Sequence, residues 1–190
     1  MLAGALIKKE VIASRSAVAL IGVTCFVLCT ALGAYVYIPL GFTPVPLTLQ
    51  TFFVLLSGAI LGRRLGSLSQ GAYLILGAAG IPLLSAGSFG LARIAGPTGG
   101  YLIGFVLAAY IVGKIVSGKG SLLSIITALI CGELIILLSG AGWLYAGFHF
   151  SLRQALYMGI LPFIPGDIIK IVVATLIIRK YLARSKELFS

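Results

Sequence analysis

Charge is scarce in this sequence of 190 residues: only 9% of them are charged, and just four are acidic. Soluble domains carry roughly 25% charged residues, so this composition excludes an ordinary soluble domain and indicates lipid as the solvent. A membrane-spanning chain must pair its backbone polar groups internally, which leaves helices or a closed barrel. The apolar runs are continuous and do not alternate with polar residues, and this pattern favours helices.

The residues of common catalytic and metal sites are also few. The chain has one histidine, His149, and three cysteines, Cys25, Cys29 and Cys131, all three of them inside apolar runs. A zinc site needs a cluster of such ligands, and the spacing provides none. The sequence contains no His-Glu-x-x-His motif, no paired catalytic carboxylates and no Ser/His/Asp set. We therefore predict neither an enzyme active site nor a metal or other cofactor.

Six apolar segments predict transmembrane helices. They are Ala17–Ile38, Leu47–Gly62, Leu65–Ile81, Gly100–Val116, Leu122–Tyr145 and Gln154–Ile178. The second and third are near the short limit for crossing about 30 Å of hydrocarbon. Because Arg63 and Arg64 separate them, a tight helical hairpin is expected rather than one long helix. The predicted fold is all-α, a single integral membrane domain over residues 1–190.

The distribution of positive charge predicts the orientation of these helices. The net charge of +10 is typical of some nucleic-acid-binding proteins, but the basic residues here lie in short clusters between apolar runs. With a cytoplasmic N-terminus, the inside segments hold Lys8, Lys9, Arg15, Arg63, Arg64, Lys114, Lys119, Arg179, Lys180, Arg184 and Lys186. The outside segments hold only Arg93 and Arg153. The positive-inside rule thus predicts a multi-pass cell-membrane protein with both termini cytoplasmic and no nucleic-acid partner.

The predicted outer side carries the irregular segments of the chain. All seven prolines fall on it: Pro39, Pro44, Pro46, Pro82, Pro97, Pro162 and Pro165. Those in loops have the simpler interpretation of turn markers. The segment Gly80–Gly100 holds six glycines, and a loop this long without regular structure is either a binding lid or a disordered connector. Within it, Arg93 either attracts an anionic ligand or is simply solvated.

Three ionisable residues are predicted to lie inside the membrane, where charge is costly and indicates function. They are Glu133, Asp167 and Lys170. Asp167 and Lys170 are three residues apart and so share a helix face. Pro165-Gly166 is expected to restart the helix, with Asp167 in its first turn. The pair either fastens helices together or anchors a small ligand, with Asp167 accepting and Lys170 donating hydrogen bonds; Glu133 is equally consistent with helix packing, water or ligand contact.

Small and aromatic residues suggest helix contacts and membrane interfaces. Gly58/Gly62 and Gly100/Gly104 have the four-residue spacing that permits close helix packing. Aromatic residues lie at the outer span ends, as in an interfacial belt: Tyr35, Tyr37, Trp143 and Tyr145. Trp143 has the alternative role of covering an apolar ligand.

Three segments together resemble a known family. They are Gly41-Phe-Thr-Pro-Val-Pro-Leu-Thr-Leu-Gln50, Gly96-Pro-Thr-Gly-Gly-Tyr101 and Phe163-Ile-Pro-Gly-Asp-Ile-Ile-Lys170. The pattern is similar to BioY, the biotin-specific substrate-binding (S) component of energy-coupling factor (ECF) transporters. The third segment is the most specific, and the resemblance extends from about Ala13 to Lys180.

The resemblance implies the six-helix S-component fold and high-affinity capture of biotin, with an ECF transmembrane coupling protein and ATPase subunits as partners. It assigns Asp167 and Lys170 to the ligand's polar groups, Ala13 and Ala17 to docking on the coupling protein, and the glycine-rich loop to a gate. Some relatives have an asparagine in that loop where this chain has Ser88. The candidate ligand-binding residues are Gln50, Ser88, Arg93, Tyr101, Trp143, Asp167 and Lys170. The alternatives are an S component for a different vitamin and, from another class, an intramembrane enzyme.

Overall fold

The computed structural model describes the backbone of residues 2–119 and 121–189, and the side chains of residues 15–117 and 121–182. The described chain is almost entirely helical. Its helices are α1 (Leu2–Tyr35), α2 (Gln50–Ala78), α3 (Leu91–Ile94), α4 (Gly99–Lys119), α5 (Leu122–Gly147), α6 (Leu152–Gly159) and α7 (Ile164–Phe189). Two short strands, β1 (Tyr37–Ile38) and β2 (Leu47–Thr48), pair in antiparallel fashion between α1 and α2.

Four helices of the described chain are long and apolar enough to cross a membrane, and a bent pair makes a possible fifth. The four are Arg15–Tyr35, Gln50–Ala78, Gly99–Ser117 and Leu122–Gly147. The fourth and fifth predicted segments each coincide with one of them, and the first does so as far as Tyr35. Its predicted end at Ile38 is wrong, because Tyr37 and Ile38 form β1. The sixth segment, Gln154–Ile178, is a broken helix, in line with the restart expected at Pro165-Gly166. It comprises parts of α6 and α7, which meet at an angle of 47°.

The segment α2 reverses direction at Gly62. This glycine has φ +79° and ψ 176°, a conformation that residues with a side chain rarely adopt. The side-chain amide of Gln50 donates a hydrogen bond of 2.6 Å to the hydroxyl of Tyr73, 23 residues further on. A straight helix would place these residues about 34 Å apart. The reversal also brings Gly66 against the backbone of Gly58, so the hairpin expected from the sequence is present.

The bounds of this hairpin differ from those predicted. Its helix begins at Gln50 rather than Leu47, because Leu47 and Thr48 form β2, and it ends at Ala78 rather than Ile81. A two-residue strand carries no detectable period of hydrophobicity, and Leu47 therefore looked like part of the following apolar run.

Glycines bring α2, α4 and α5 into close contact. A side chain on Gly58 would collide with the backbone of Ala109, and one on Gly100 with Trp143. A Cβ on Gly104 would lie 3.1 Å from the Cα of Ile136. The close packing predicted at these three glycines is confirmed. The backbone of Gly62 is also close to α4, since a Cβ on Gly113 would lie 2.5 Å from the carbonyl carbon of Gly62. A Cβ on Gly62 itself would meet no atom within 4 Å, and glycine is required there by the chain reversal.

The outer surface of the bundle is apolar, as in a protein surrounded by lipid. On α1, Leu20 and Ile21 are each 68% exposed, and Leu123 at the start of α5 is 74% exposed. The buried polar residues lie inside the bundle, and they include Gln50, Glu133, Asp167 and Lys170. Polar side chains thus face inward, where the candidate site lies.

Candidate functional site

A cavity lies among α2, α4, α5 and α7, at the end of the bundle formed by the segments 36–49 and 79–98. It encloses about 550 Å³ of empty space, counting the part that is open to solvent. Its apolar lining consists of Val45, Pro46, Leu84, Tyr101, Leu102, Phe105, Ile136, Leu137 and Phe163. Its polar lining consists of Thr48, Gln50, Thr51, Ser85, Thr98, Glu133, Asp167 and Lys170.

An ion pair on α7 is the polar centre of this cavity. The Nζ of Lys170 lies 2.9 Å from Oδ1 of Asp167 and 2.9 Å from Oγ1 of Thr51 on α2. Because α7 begins at Ile164, Asp167 lies in its first turn, as expected from Pro165. One turn of helix then places Lys170 on the same face. The pair connects α7 to α2, and it also faces the cavity.

Several polar atoms of the lining have no hydrogen-bond partner among the described residues. They are Oδ2 of Asp167, both carboxyl oxygens of Glu133 and Oγ1 of Thr98, all of them buried. Lys170 donates two hydrogen bonds, although an ammonium group has three N–H donors. Buried polar groups without partners are costly. The cavity is therefore suited to a ligand that is mostly apolar and that brings both donors and an acceptor.

Gln50 and Tyr101 also line the cavity, as predicted. The side-chain amide of Gln50 is held by Tyr73. The hydroxyl of Tyr101 donates a hydrogen bond of 2.7 Å to the backbone carbonyl of Gly159 on α6. The ring of Tyr101 meets that of Phe163 edge to face, with centroids 6.0 Å apart. Since its hydroxyl is occupied, Tyr101 contributes an aromatic surface to the cavity.

The structure places Ser88, Arg93 and Trp143 outside the residues that line the cavity. The hydroxyl of Ser88 donates to the carbonyl of Ser85 at 2.7 Å, and Arg93 donates to the Ser85 hydroxyl at 2.9 Å. The indole N–H of Trp143 donates to the carbonyl of Gly96 at 3.0 Å. All three side chains therefore hold the segment 79–98, and Ser85 alone among these contacts faces the cavity.

The segment 79–98 covers the cavity and is more ordered than the sequence indicated. It contains a 3₁₀ turn, Ser85–Gly87, in addition to α3. The hydroxyl of Tyr35 donates to the carbonyl of Pro82 at 2.6 Å, and that of Tyr73 donates to the carbonyl of Leu83 at 2.9 Å. The side chain of Leu84 is only 1% exposed and forms part of the cavity lining. The glycines thus allow tight turns in a segment that is fixed at several points.

The sequence contained signals for some lining residues that were not predicted. Thr98 and Phe163 lie inside two of the three segments that resemble BioY, and Thr51 directly follows the other. Their polar or aromatic character within these segments was a usable signal. Glu133, whose role was left open, faces the cavity. For Leu84 and Phe105 there was no signal, because an apolar residue in an apolar run looks the same whether it faces a cavity or lipid.

The two predicted docking residues lie on α1, far from this site in the chain. Ala17 is exposed. The side chain of Ala13 lies outside the described residues. The assignment of both alanines to partner docking remains a prediction.

Comparison with known proteins identifies the family and the fold of this chain. The model of the BioY family matches residues 8–187, nearly the whole chain. The chain belongs to the BioY family. The family suggested by the three sequence segments is thereby confirmed.

Several curated members of this family are similar to the chain. The probable biotin transporter BioY of Pyrococcus horikoshii is 46% identical over 157 residues, which cover 82% of this chain and 90% of that protein. The biotin transporter BioY of Thermotoga maritima is 41% identical and covers 80% of this chain and 88% of its own length. A crystal structure of the S-component for biotin from an ECF-type ABC transporter superposes with a TM-score of 0.78. The two chains are 28% identical, and the superposition covers 92% of this chain and 93% of the crystallised chain.

Proposed function

We propose that this BioY-family protein binds biotin at the cavity and serves as the substrate-binding component of an ECF-type vitamin transporter. The observation that carries the proposal is the Asp167–Lys170 pair, which presents an unused acceptor and an unused donor in a buried, mostly apolar cavity. Family membership and the named biotin transporters among the relatives support the choice of ligand.

Biotin carries apolar parts, hydrogen-bond donors and an acceptor that are complementary to this cavity. Its bicycle and valeryl chain are apolar and match the aliphatic and aromatic lining. Its ureido group carries two N–H donors and one carbonyl acceptor. Oδ2 of Asp167 is available to accept from an N–H, and the third N–H of Lys170 is available to donate to the carbonyl. Ser88, Arg93 and Trp143 contribute by holding segment 79–98, which acts as the gate over the bound ligand.

The protein crosses the cell membrane six times, with both termini in the cytoplasm. The two arms of α2, 50–61 and 63–78, count as separate crossings in this topology, and α6 with α7 makes the sixth. Each arm is shorter than the roughly 20 residues of a full span. The exposed Arg63 and Arg64 at the hairpin turn, with Lys114 and Arg179, support a cytoplasmic location for that end. The cavity then opens to the outside.

An ECF coupling protein and ATPase subunits supply the energy for uptake. The S component contacts the coupling protein through α1, where Ala13 and Ala17 leave room for a partner helix. Exposure of Ala17 on α1 supports this assignment. Biotin is a transported ligand here and not a cofactor.

Equilibrium binding of biotin to the purified protein in detergent tests the proposal. Wild type is expected to bind one biotin per chain, and Asp167→Ala to lose binding because it removes both the acceptor and the partner of Lys170. Ile169→Ala is the matched control, since Ile169 is on the same helix but 66% exposed on the lipid-facing side. A panel of other vitamins tests the ligand class. A folded, monodisperse wild type that binds another vitamin and no biotin would contradict the assignment of the ligand.

A further inference from the structure

Glu133 is a buried carboxyl group in the cavity wall that the site described so far does not use. It is 4% exposed and lies on α5, three and four residues before Ile136 and Leu137, which line the same cavity. This spacing places the three side chains on one helix face. The adjacent Leu134 is 49% exposed on the surface of the bundle. The helix thus directs a carboxyl group into an otherwise apolar wall.

No described N–H or hydroxyl group donates a hydrogen bond to Glu133, although its carboxyl group lies within hydrogen-bonding reach of the carboxyl group of Asp167. Both of its carboxyl oxygens are buried without a partner. The facing charged groups are on α7, where Lys170 already donates to Asp167 and Thr51. On the other elements around the cavity, the hydroxyl of Tyr101 donates to Gly159, and Arg93 donates to Ser85.

A carboxyl group in this position does not serve packing. Burial of a polar group without a partner costs free energy, and an apolar side chain of similar size would fill the wall without that cost. Glu133 interacts electrostatically with both Asp167 and Lys170, so it belongs to the polar centre of the cavity. Two acids then face one cation, an arrangement that favours a neutral ligand group with several N–H donors over a ligand carboxylate.

We infer that Glu133 is a second hydrogen-bond acceptor for the ligand and a determinant of its specificity. The inference rests on the proposed function. Asp167 on α7 and Glu133 on α5 offer free acceptors from two helices that pack against each other. The two N–H groups of a cyclic urea point away from one another, so each acceptor meets one of them. Lys170, which lies beside Asp167, donates to the carbonyl between the two N–H groups.

Competition binding with two biotin derivatives, each methylated at one of the ureido nitrogens, tests this inference. A methyl group removes one N–H donor at a time. The measured quantity is the ratio of the dissociation constant of each derivative to that of biotin. This ratio is measured for wild type, Glu133→Leu, Glu133→Gln and the control Leu134→Ala. Thermal stability in detergent is followed for every variant.

In Glu133→Leu the ratio is expected to fall roughly 2- to 10-fold for one derivative and to stay unchanged for the other, because one hydrogen bond to the ligand is lost. Glu133→Gln keeps an oxygen acceptor and should show a smaller fall for the same derivative. Leu134→Ala should show the wild-type ratios. If Glu133→Leu does not fold, Glu133→Gln alone decides by the same comparison.

Wild-type ratios for both derivatives in the folded Glu133 variants would overturn the inference, even where affinity for biotin itself drops. That result would assign a purely structural role to Glu133 and leave the proposed function intact. A folded wild type that binds no biotin would instead overturn the proposed function, and the inference with it.

Discussion

At the residue scale, the ion pair of Asp167 and Lys170 affects stability and binding in separable ways. Both side chains are buried, with relative exposures of 6% and 8%. A buried pair contributes little net stability compared with apolar residues of the same size, but the removal of one partner leaves an uncompensated charge. The presence of this pair in an apolar cavity is therefore better explained by ligand binding than by stability.

The first prediction follows from this asymmetry. Lys170→Met should destabilise the protein by about 3–5 kcal/mol, because the Asp167 carboxylate loses its cation in a buried site. The double variant Asp167→Leu/Lys170→Met should recover most of that stability, since neither charge remains. Neither variant should bind biotin. Thermal unfolding in detergent and equilibrium biotin binding measure the two effects, and a double variant that still binds biotin would contradict the role of the pair.

At the element scale, the reversal at Gly62 brings the two arms of α2 together, and these arms place Gln50 and Thr51 in the cavity. The backbone conformation of Gly62 is almost exclusive to glycine. Gly71, in the second arm, has an ordinary helical conformation. A Cβ added at either glycine would meet no atom within 4 Å. The two positions therefore differ in backbone conformation and not in available space.

The second prediction compares alanine at these two glycines. Gly62→Ala should destabilise the protein by about 1–3 kcal/mol, the usual cost of such a backbone conformation in a residue with a side chain. Gly71→Ala should be neutral or stabilising by up to about 1 kcal/mol, because alanine favours helix. Thermal unfolding of both variants in detergent measures the difference. Equal stability of the two variants would show that the reversal does not depend on the conformation of Gly62.

The cover over the cavity, segment 79–98, gives a third prediction. Tyr35→Phe removes the hydrogen bond to the carbonyl of Pro82. A neutral bond of this kind contributes about 0.5–1.5 kcal/mol, and biotin should dissociate roughly 2- to 10-fold faster if the cover acts as a gate. Tyr145→Phe is the control, because Tyr145 is similarly exposed, at 55% against 53%. An unchanged dissociation rate in Tyr35→Phe would argue that this contact does not control release.

Comparison of the predicted segments with the observed helices shows which parts of the fold could be predicted from the sequence. Long apolar runs placed α1, α4 and α5 correctly, because each run is as long as a membrane helix and ends at charged or irregular segments. The hairpin was predictable because Arg63 and Arg64 interrupt a run too long for one span and too short for two full ones. The helix restart at Pro165-Gly166 was predictable from the proline, but the angle of 47° between α6 and α7 was not, since proline alone does not specify an angle.

Only part of the candidate site could be predicted from the sequence. Asp167, Lys170 and Glu133 were recognisable because charge inside an apolar run is costly and therefore informative. Ser88, Arg93 and Trp143 were expected near the ligand, but the structure shows that they bind the covering segment, where each hydrogen-bonds Ser85 or Gly96. Contacts between loops depend on backbone geometry that the hydrophobic pattern does not encode.

At the scale of the whole molecule, the predicted docking surface on α1 lies far from the end of α1 that contacts the cover of the cavity. Tyr35, at one end of α1, contacts the segment that covers the cavity. Ala17 is 18 residues earlier, which corresponds to about 27 Å along a helix. The exposed Ala17 therefore cannot touch a ligand in the cavity. Ligand binding and partner docking should then respond independently to mutation.

The last prediction uses this separation. The double variant Ala13→Trp/Ala17→Trp should bind biotin as wild type does, because positions 13 and 17 lie on α1 about 27 Å or more along the helix from Tyr35. It should nevertheless lose biotin uptake in cells that contain the ECF coupling protein and ATPase subunits. The physical reason is that small residues allow two helices to approach closely, and an indole at either position would hold them apart. Leu28→Trp is the matched control, since Leu28 is 55% exposed on the same helix but is not part of the alanine motif. It should leave both binding and uptake unchanged. Normal uptake by the double variant would refute docking through α1, whereas loss of binding would show that α1 and the cavity are not independent.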